Sequence, residues 1–245
     1  MRALNSIELL RVWEDGIYFT PTERSLQLLS VACEIPDLNK VADWSIGERD
    51  ARLLQLREWM FGNSLLNKAN CPHCAELLEW ITELEDIRLQ VPQQQILPKT
   101  FELEVKGVKI QFRLPNSHDM FRATSDPAYL ANPQTLLAAC IVAIHNDEGD
   151  ISTDDISEEA WDAIEEEMEK LDPQADIQMA LTCPACGHQW EANFDIAGYL
   201  WTEIDNWARH MMHEVFLLAR AFNWSERDIL TMSPRRRQLY IDMIS

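Results

Sequence analysis

Cys71-Pro72-His73-Cys74 and Cys183-Pro184-Ala185-Cys186-Gly187 are the stretches on which the reading of this chain turns. A CxxC turn holds two sulfurs ~3.5–4 Å apart and aims backbone N–H groups at them, which suits two corners of a tetrahedron. Two such turns supply four sulfur ligands, and each is followed by an apolar-alternating segment, as in a zinc ribbon. After the first turn come Leu77, Leu78, Trp80 and Ile81. The turns lie much further apart than the ~15–20 residues usual between paired knuckles. An insertion into the ribbon accounts for the distance; two separate knuckles are the alternative. Four protein ligands fill a zinc ion's coordination shell, so Cys71, Cys74, Cys183 and Cys186 predict a structural Zn2+ that contributes to folding rather than chemistry. His73 and His188 are expected outside that ligand set, and the lone Cys33 and Cys140 as core thiols.

Two other readings of the cysteines compete. Cys-Pro-His-Cys is also the active-site tetrapeptide of some thioredoxin-fold dithiol oxidases, where it lowers the first thiol's pKa. That context needs a strand before the motif and a helix after it, and Leu66-Asn67-Lys68-Ala69-Asn70 is a poor strand by composition. The third reading is a zinc-ribbon regulatory adaptor acting through protein contacts.

Outward from the cysteines the chain is mostly helical. Thr20-Pro21-Thr22-Glu23 is a capping box with proline in the first turn, and Ser45-Ile46-Gly47-Glu48 repeats the device for a helix that stops at Gly62. Alternation through Phe101, Leu103 and Val105, then Val108, Ile110 and Phe112, flanks Lys106-Gly107 and predicts a hairpin. Val91–Pro98 reads as a linker or edge loop. From Pro115 to Pro173 the pattern is helical again, with Leu136–Ile144 apolar enough to be buried. Ser157 caps a helix with Trp161, Ile164, Met168 and Leu171 on one stripe. A short strand pair is expected around Ile177–Phe194 and a long helix over Ala197–Phe222. The fold class is therefore mostly α (α+β): helical N- and C-terminal regions around a small zinc-ribbon-like β element with a helical insertion. The expected divisions are 1–66 (N-terminal helices), 67–114 plus 176–194 (ribbon), 115–175 (helical insertion with the acidic helix) and 195–245 (C-terminal helices).

Composition narrows the function. The 245 residues carry 21 basic and 41 acidic side chains, a formal charge of −20, which argues against nucleic acid and anionic membranes as partners. No apolar run approaches the ~20 residues of a membrane span. The seven glycines form neither GxGxxG nor a Walker loop. The N-terminus does not read as a signal peptide, which predicts a reducing cytosol. His210-Met211-Met212-His213-Glu214 resembles HExxH in composition alone. With no catalytic constellation in view, the chain is expected not to be an enzyme. Arg235-Arg236-Arg237 stands in the first turn of the last helix, where the macrodipole disfavours positive charge. Those three arginines with Trp224 are candidate partner-binding residues; pairing of the arginines with an acidic helix of the same chain is the structural alternative.

Further pieces carry a resemblance. Trp13-Glu14-Asp15-Gly16, Gly47-Glu48-Arg49-Asp50, Leu53-Leu54-Gln55-Leu56-Arg57 and Phe61-Gly62 precede the first knuckle. After the second come Glu214-Val215, Leu218-Ala219, Phe222-Asn223-Trp224-Ser225-Glu226, Ile229-Leu230 and Ser233-Pro234-Arg235-Arg236-Arg237-Gln238-Leu239-Tyr240. In these the chain resembles the baseplate-hub assembly chaperone family of T-even-type contractile tails, with relatives in phages, prophages and contractile injection systems. The resemblance covers the N-terminal third, both knuckles and the tail, but not the acidic insertion. It implies a non-enzymatic protein of a baseplate, or one needed to build it, with other baseplate or tail-hub proteins as partners. Such a protein would be cytoplasmic during assembly and would then either stay in the particle or leave it. Members of that family need not carry a zinc ribbon, so the cysteines would mark a zinc-bearing branch.

Overall fold

The computed structural model describes residues 1–89, 99–126, 134–146 and 149–244, so the expected loop at Val91–Pro98 lies outside the described residues. The chain forms two compact units, Met1–Leu38 with Ile196–Ser245, and Asn39–Asp195. Helix starts follow the punctuation. Asn5 opens α1 (Ser6–Gly16) through a capping box with Glu8, and Thr20 opens α2 (Pro21–Cys33) through the box with Glu23.

In the second unit, α3 (Leu38–Ala42) leads to α4 (Ile46–Phe61), where the Ser45 hydroxyl accepts from the Glu48 N–H and Gly62 ends the helix at φ 92°. A first hairpin, β1 (Ser64–Asn70) with β2 (Leu77–Glu83), is followed by the single turn α5 (Leu84–Ile87). A second, β3 (Phe101–Val105) with β4 (Val108–Phe112), turns through Lys106 and Gly107, both at positive φ as a two-residue hairpin loop requires. Then come α6 (Ser117–Ser125), α7 (Gln134–Cys140), β5 (Ile141–Asn146), β6 (Gly149–Asp150) and α8 (Glu158–Leu171). A last hairpin, β7 (Gln178–Thr182) with β8 (Gln189–Asn193), closes the unit.

The mostly helical class with small antiparallel sheets holds, but the insertion is not wholly helical. Only half of the apolar run Leu136–Ile144 is helix. At Ile141 it becomes strand β5, which pairs with β4 (Ile110 opposite Ile144) and extends the second hairpin to a four-stranded sheet, β3-β4-β5-β6. That hairpin is therefore not part of the ribbon. The β-branched Ile141, Val142 and Ile144 fit a pleated surface, and period alone does not separate a short buried strand from a buried helix. The strand assignment also explains the acidic helix. Ala160, Ile164 and Met168 of α8 pack with Ile110, Phe112, Cys140 and Ile144, so its apolar stripe covers the sheet while most of its carboxylates face solvent.

One buried polar clasp ties the start of this unit to its end. After α8 the chain makes a 3-10 turn, Pro173–Ala175, and Asp172 at its head is buried against the N-terminus of α4. Its carboxylate accepts from the Gly47 N–H at 2.8 Å and the Ser45 hydroxyl at 3.0 Å. Burial pushes the Asp172 carboxyl up, against the pull of these two donors and of Arg49. Two residues on, buried Gln174 donates to the Ile87 carbonyl (3.1 Å) and accepts from the Leu89 N–H (2.8 Å), closing the end of α5. Arg57, also buried, donates to the Gly62 and Ser64 carbonyls and fixes the turn from α4 into β1.

The first unit is helical. α1 and α2 pack with α9 (Ile196–Phe222), which is followed by α10 (Glu226–Leu230) and α11 (Pro234–Asp242). The Trp13 indole donates to Asp205 at 2.9 Å, and Arg24 donates to the Gly16 and Ile17 carbonyls at the end of α1 while lying over Trp201. Cys140 is buried as expected of a core thiol, whereas Cys33 is only half-buried.

A Cβ at Gly47 would sit 2.1 Å from the Asp172 carboxylate and 3.0 Å from the Ala175 nitrogen. Gly47→Ala is therefore expected to push the clasp apart and cost about 3 kcal/mol, read as a lowered urea midpoint with an unchanged m-value.

Candidate metal centre

The two CxxC turns are the tips of the β1–β2 and β7–β8 hairpins, and they share one backbone design. The first cysteine's N–H donates across the turn, Cys71 to the Glu76 carbonyl and Cys183 to that of His188, both at 2.8 Å. The residue after the second cysteine donates back, Ala75 to Cys71 and Gly187 to Cys183, both at 2.9 Å. That residue takes the left-handed conformation in each, φ 61° at Ala75 and 74° at Gly187. Cross-strand pairs sustain the first hairpin despite its polar composition: Lys68 bridges Glu79, and the Asn67 amide donates to Thr82. The segment that reads as a poor strand is thus strand β1.

The hairpins bring the four predicted ligands together. The sulfurs of Cys71, Cys74, Cys183 and Cys186 all lie within 4.8 Å of one another. Across the hairpins, Cys71 is 3.7 Å from Cys186 and Cys74 is 3.6 Å from Cys183. All four are free thiols, and these separations far exceed the ~2.05 Å of a disulfide. They match the ~3.8 Å edge of a tetrahedron built on Zn–S bonds of ~2.3 Å. Cys71 and Cys183 are buried; Cys74 and Cys186 are exposed. Among the described residues this is the one cluster of three or more His, Cys, Asp or Glu that could hold a metal ion.

The electrostatics fit a cation site. Burial disfavours the Cys71 thiolate, but the N–H groups of Cys74 and His73 and the facing thiols outweigh it and bring Cys71 down to about 7. Cys74 moves the other way: the Glu76 N–H favours its thiolate, yet Cys186, burial and the remaining thiols push it up to about 12. One thiolate is thus accommodated and a second beside it is resisted. A divalent cation reverses that resistance, because it stabilises every thiolate that ligates it. His73 and His188 are outside the sulfur cluster, stacked on each other at 5.6 Å, with Trp190 beyond His188.

The other sequence candidates fall elsewhere. The oxidase motif would need a helix directly after Cys74, and a strand follows instead. His210 and His213 are exposed on α9, His210 bonded to the Asn206 carbonyl. Arg235 and Arg236 are exposed, but Arg237 is buried, donating to Glu214 of α9 at 2.8 Å and to the Met232 carbonyl at 2.7 Å. For Arg237 the intramolecular pairing is the observed state. Trp224 is half-buried, stacked on Phe222 and edge-on to Tyr240. Sequence reasoning missed Asp172 and Gln174, whose partners lie more than 80 residues away and leave no local pattern.

Fold and site together define a mostly helical protein with a ribbon-like four-cysteine centre able to hold a metal such as zinc. Residues 27–199 match the family described as T4 bacteriophage base plate protein, which takes in more than half of the chain and both knuckles; the chain belongs to that family. Membership supports a structural role in a phage baseplate, as part of the tail particle, with other baseplate components as neighbours. No curated protein and no solved structure matches the chain. No described helix is long and apolar enough to cross a membrane.

The two knuckles differ at the left-handed position, where Ala75 pays a steric penalty that Gly187 does not. Ala75→Gly is expected to stabilise the metal-loaded protein by about 1 kcal/mol and Gly187→Ala to destabilise it by a similar amount, as opposite shifts in urea midpoint.

Proposed function

We propose that this chain is a zinc-stabilised, non-enzymatic assembly or structural protein of a contractile-tail baseplate, and that it acts by docking other baseplate or tail-hub proteins. The observation that carries the reading is the family match over residues 27–199. The four converging sulfurs supply the stabilising element: Zn2+ held by Cys71, Cys74, Cys183 and Cys186. Held by these four sulfurs, a zinc ion would tie the two hairpins to one another. It offers no open coordination position, in keeping with a binding rather than a catalytic role.

Docking is assigned to the C-terminal helices, beyond the matched segment. Arg235 and Arg236 are exposed in the first turn of α11, where they gain nothing from the helix dipole, and Arg236 lies over the Tyr240 ring that also meets Trp224. Two cations held at an unfavourable helix end, beside a half-buried aromatic cluster, suit an acidic partner surface. Arg237 is left out of this surface, since it holds α11 to α9. Assembly is expected to take place in the cytoplasm, where reduced thiols persist.

Arg235→Glu with Arg236→Glu tests the docking role. Negative charge in the first turn should leave the fold intact and raise helix stability by ~0.3–1 kcal/mol. Co-purification with baseplate proteins from cells assembling tails is expected to be lost. Retention of those proteins at wild-type levels by the double variant would exclude this surface as the dock.

A further inference from the structure

The two knuckle hairpins share a backbone but differ on their outward faces. On β7–β8 that face is polar, with Gln178, Thr182, Gln189, Glu191 and Asn193 exposed around Ala180. On β1–β2 the register sets Leu66 opposite Ile81 and Asn70 opposite Leu77, with the Lys68–Glu79 ion pair between them. Leu66, Leu77 and Ile81 are 56%, 54% and 68% exposed, while Leu65, Leu78 and Trp80 on the other face are buried or half-buried. A knuckle hairpin can carry a polar outer face, as its sister does. The aliphatic face of β1–β2 is therefore not a requirement of the metal centre.

We propose that this outer face of β1–β2 is a docking surface for a cationic amphipathic helix of a partner protein. Leu77 and Ile81 are four residues apart on one strand, about 13 Å. Positions i and i+8 of an α-helix, about 12 Å apart, place apolar anchors at close to that spacing. Between them a lysine or arginine on the docked helix shares the Glu79 carboxylate with Lys68, its ion-pair partner in this chain. The charge around the patch selects the partner's sign. Glu79 and Glu83 alternate with Leu77 and Ile81 along β2, Glu76 and Glu85 flank that strand in the chain, and Lys68 stands opposite Glu79. The unit Asn39–Asp195 carries 29 acidic and 12 basic residues. A second copy would bring the same acidic rim and be repelled, whereas a basic helix is attracted and its aliphatic stripe is desolvated against Leu66 and Ile81. This surface belongs to the unit Asn39–Asp195 and not to the unit that carries Arg235 and Arg236, and its sign of charge is opposite.

The test uses full-length, zinc-loaded protein and two labelled 18-residue helical peptides, one of leucine and lysine, the other of leucine and glutamate at the same positions. Fluorescence anisotropy is expected to show binding of the lysine peptide alone, weakened at least tenfold by Leu66→Thr with Ile81→Thr. Threonine keeps the strand preference, so metal content and circular dichroism should not change. Glu79→Lys leaves the apolar pair in place and should weaken the lysine peptide while admitting the glutamate one, which keeps the proposal testable if the double variant misfolds. Undiminished binding of the lysine peptide to a folded double variant would overturn the proposal, since another acidic surface would then hold it. Equal binding of both peptides, or a wild-type dimer in sedimentation that the double variant abolishes, would overturn it as well.

Discussion

The convergence of four sulfurs from two hairpins is the constraint on which the second unit depends. Cys74 and Cys183 are separated by 109 positions in the chain yet lie 3.6 Å apart. Closing a loop of ~100 residues with a cross-link removes enough freedom from the unfolded chain to be worth about 4.7 kcal/mol in the chain-entropy model. A metal ion bound by all four sulfurs acts as such a cross-link, and its binding free energy becomes folding free energy. Each hairpin alone is a two-stranded sheet, marginal in water, so neither knuckle is expected to persist without the other.

The protein part of that closure lies in Asp172 and Gln174. The sheet β3-β4-β5-β6 with its covering helix α8 leaves the first hairpin and must return to start the second. The return passes through the turn in which Asp172 accepts from the N-terminus of α4 and Gln174 closes the end of α5. These are buried polar bonds whose loss leaves backbone donors and acceptors unpaired, a larger penalty than the bonds' net contribution. Asp172 and Gln174 stand on the chain approaching β7, and Gln174 is bonded to the end of α5, on the chain that leaves β2, so this part of the clasp constrains the same crossing that the metal centre closes. An acidic helix, costly to desolvate, serves here because only its narrow apolar stripe is covered.

Much of this was legible in the amino-acid pattern, where the chemistry is local. Thr20 with Glu23, Ser45 before α4, Lys106-Gly107 and Ser157 each specify an element boundary through their own side chain or backbone conformation. The CPxC spacing identified all four clustered cysteines because two ligands per turn is itself a short-range signal. What was not legible depends on distant partners. The run Leu136–Ile144 has no period that separates helix from strand, and only pairing with β4 decides it. Leu66–Asn70 lacks β-branched residues, yet cross-strand partners make it a strand. Arg237 looks like its two neighbours in sequence; one helical step turns it inward to Glu214. Gly47 reads as an ordinary first-turn residue, and only Asp172, 125 positions later, shows why a side chain is excluded there.

The most direct test of the metal-centred account is zinc per chain, measured with free-thiol counting on folded protein purified under reducing conditions. About one zinc per chain, with the four motif cysteines protected from alkylation until a chelator is added, is the result the geometry predicts. Folded protein without bound metal, in which Cys71 and Cys74 react as fast as thiols of the unfolded chain, would contradict it.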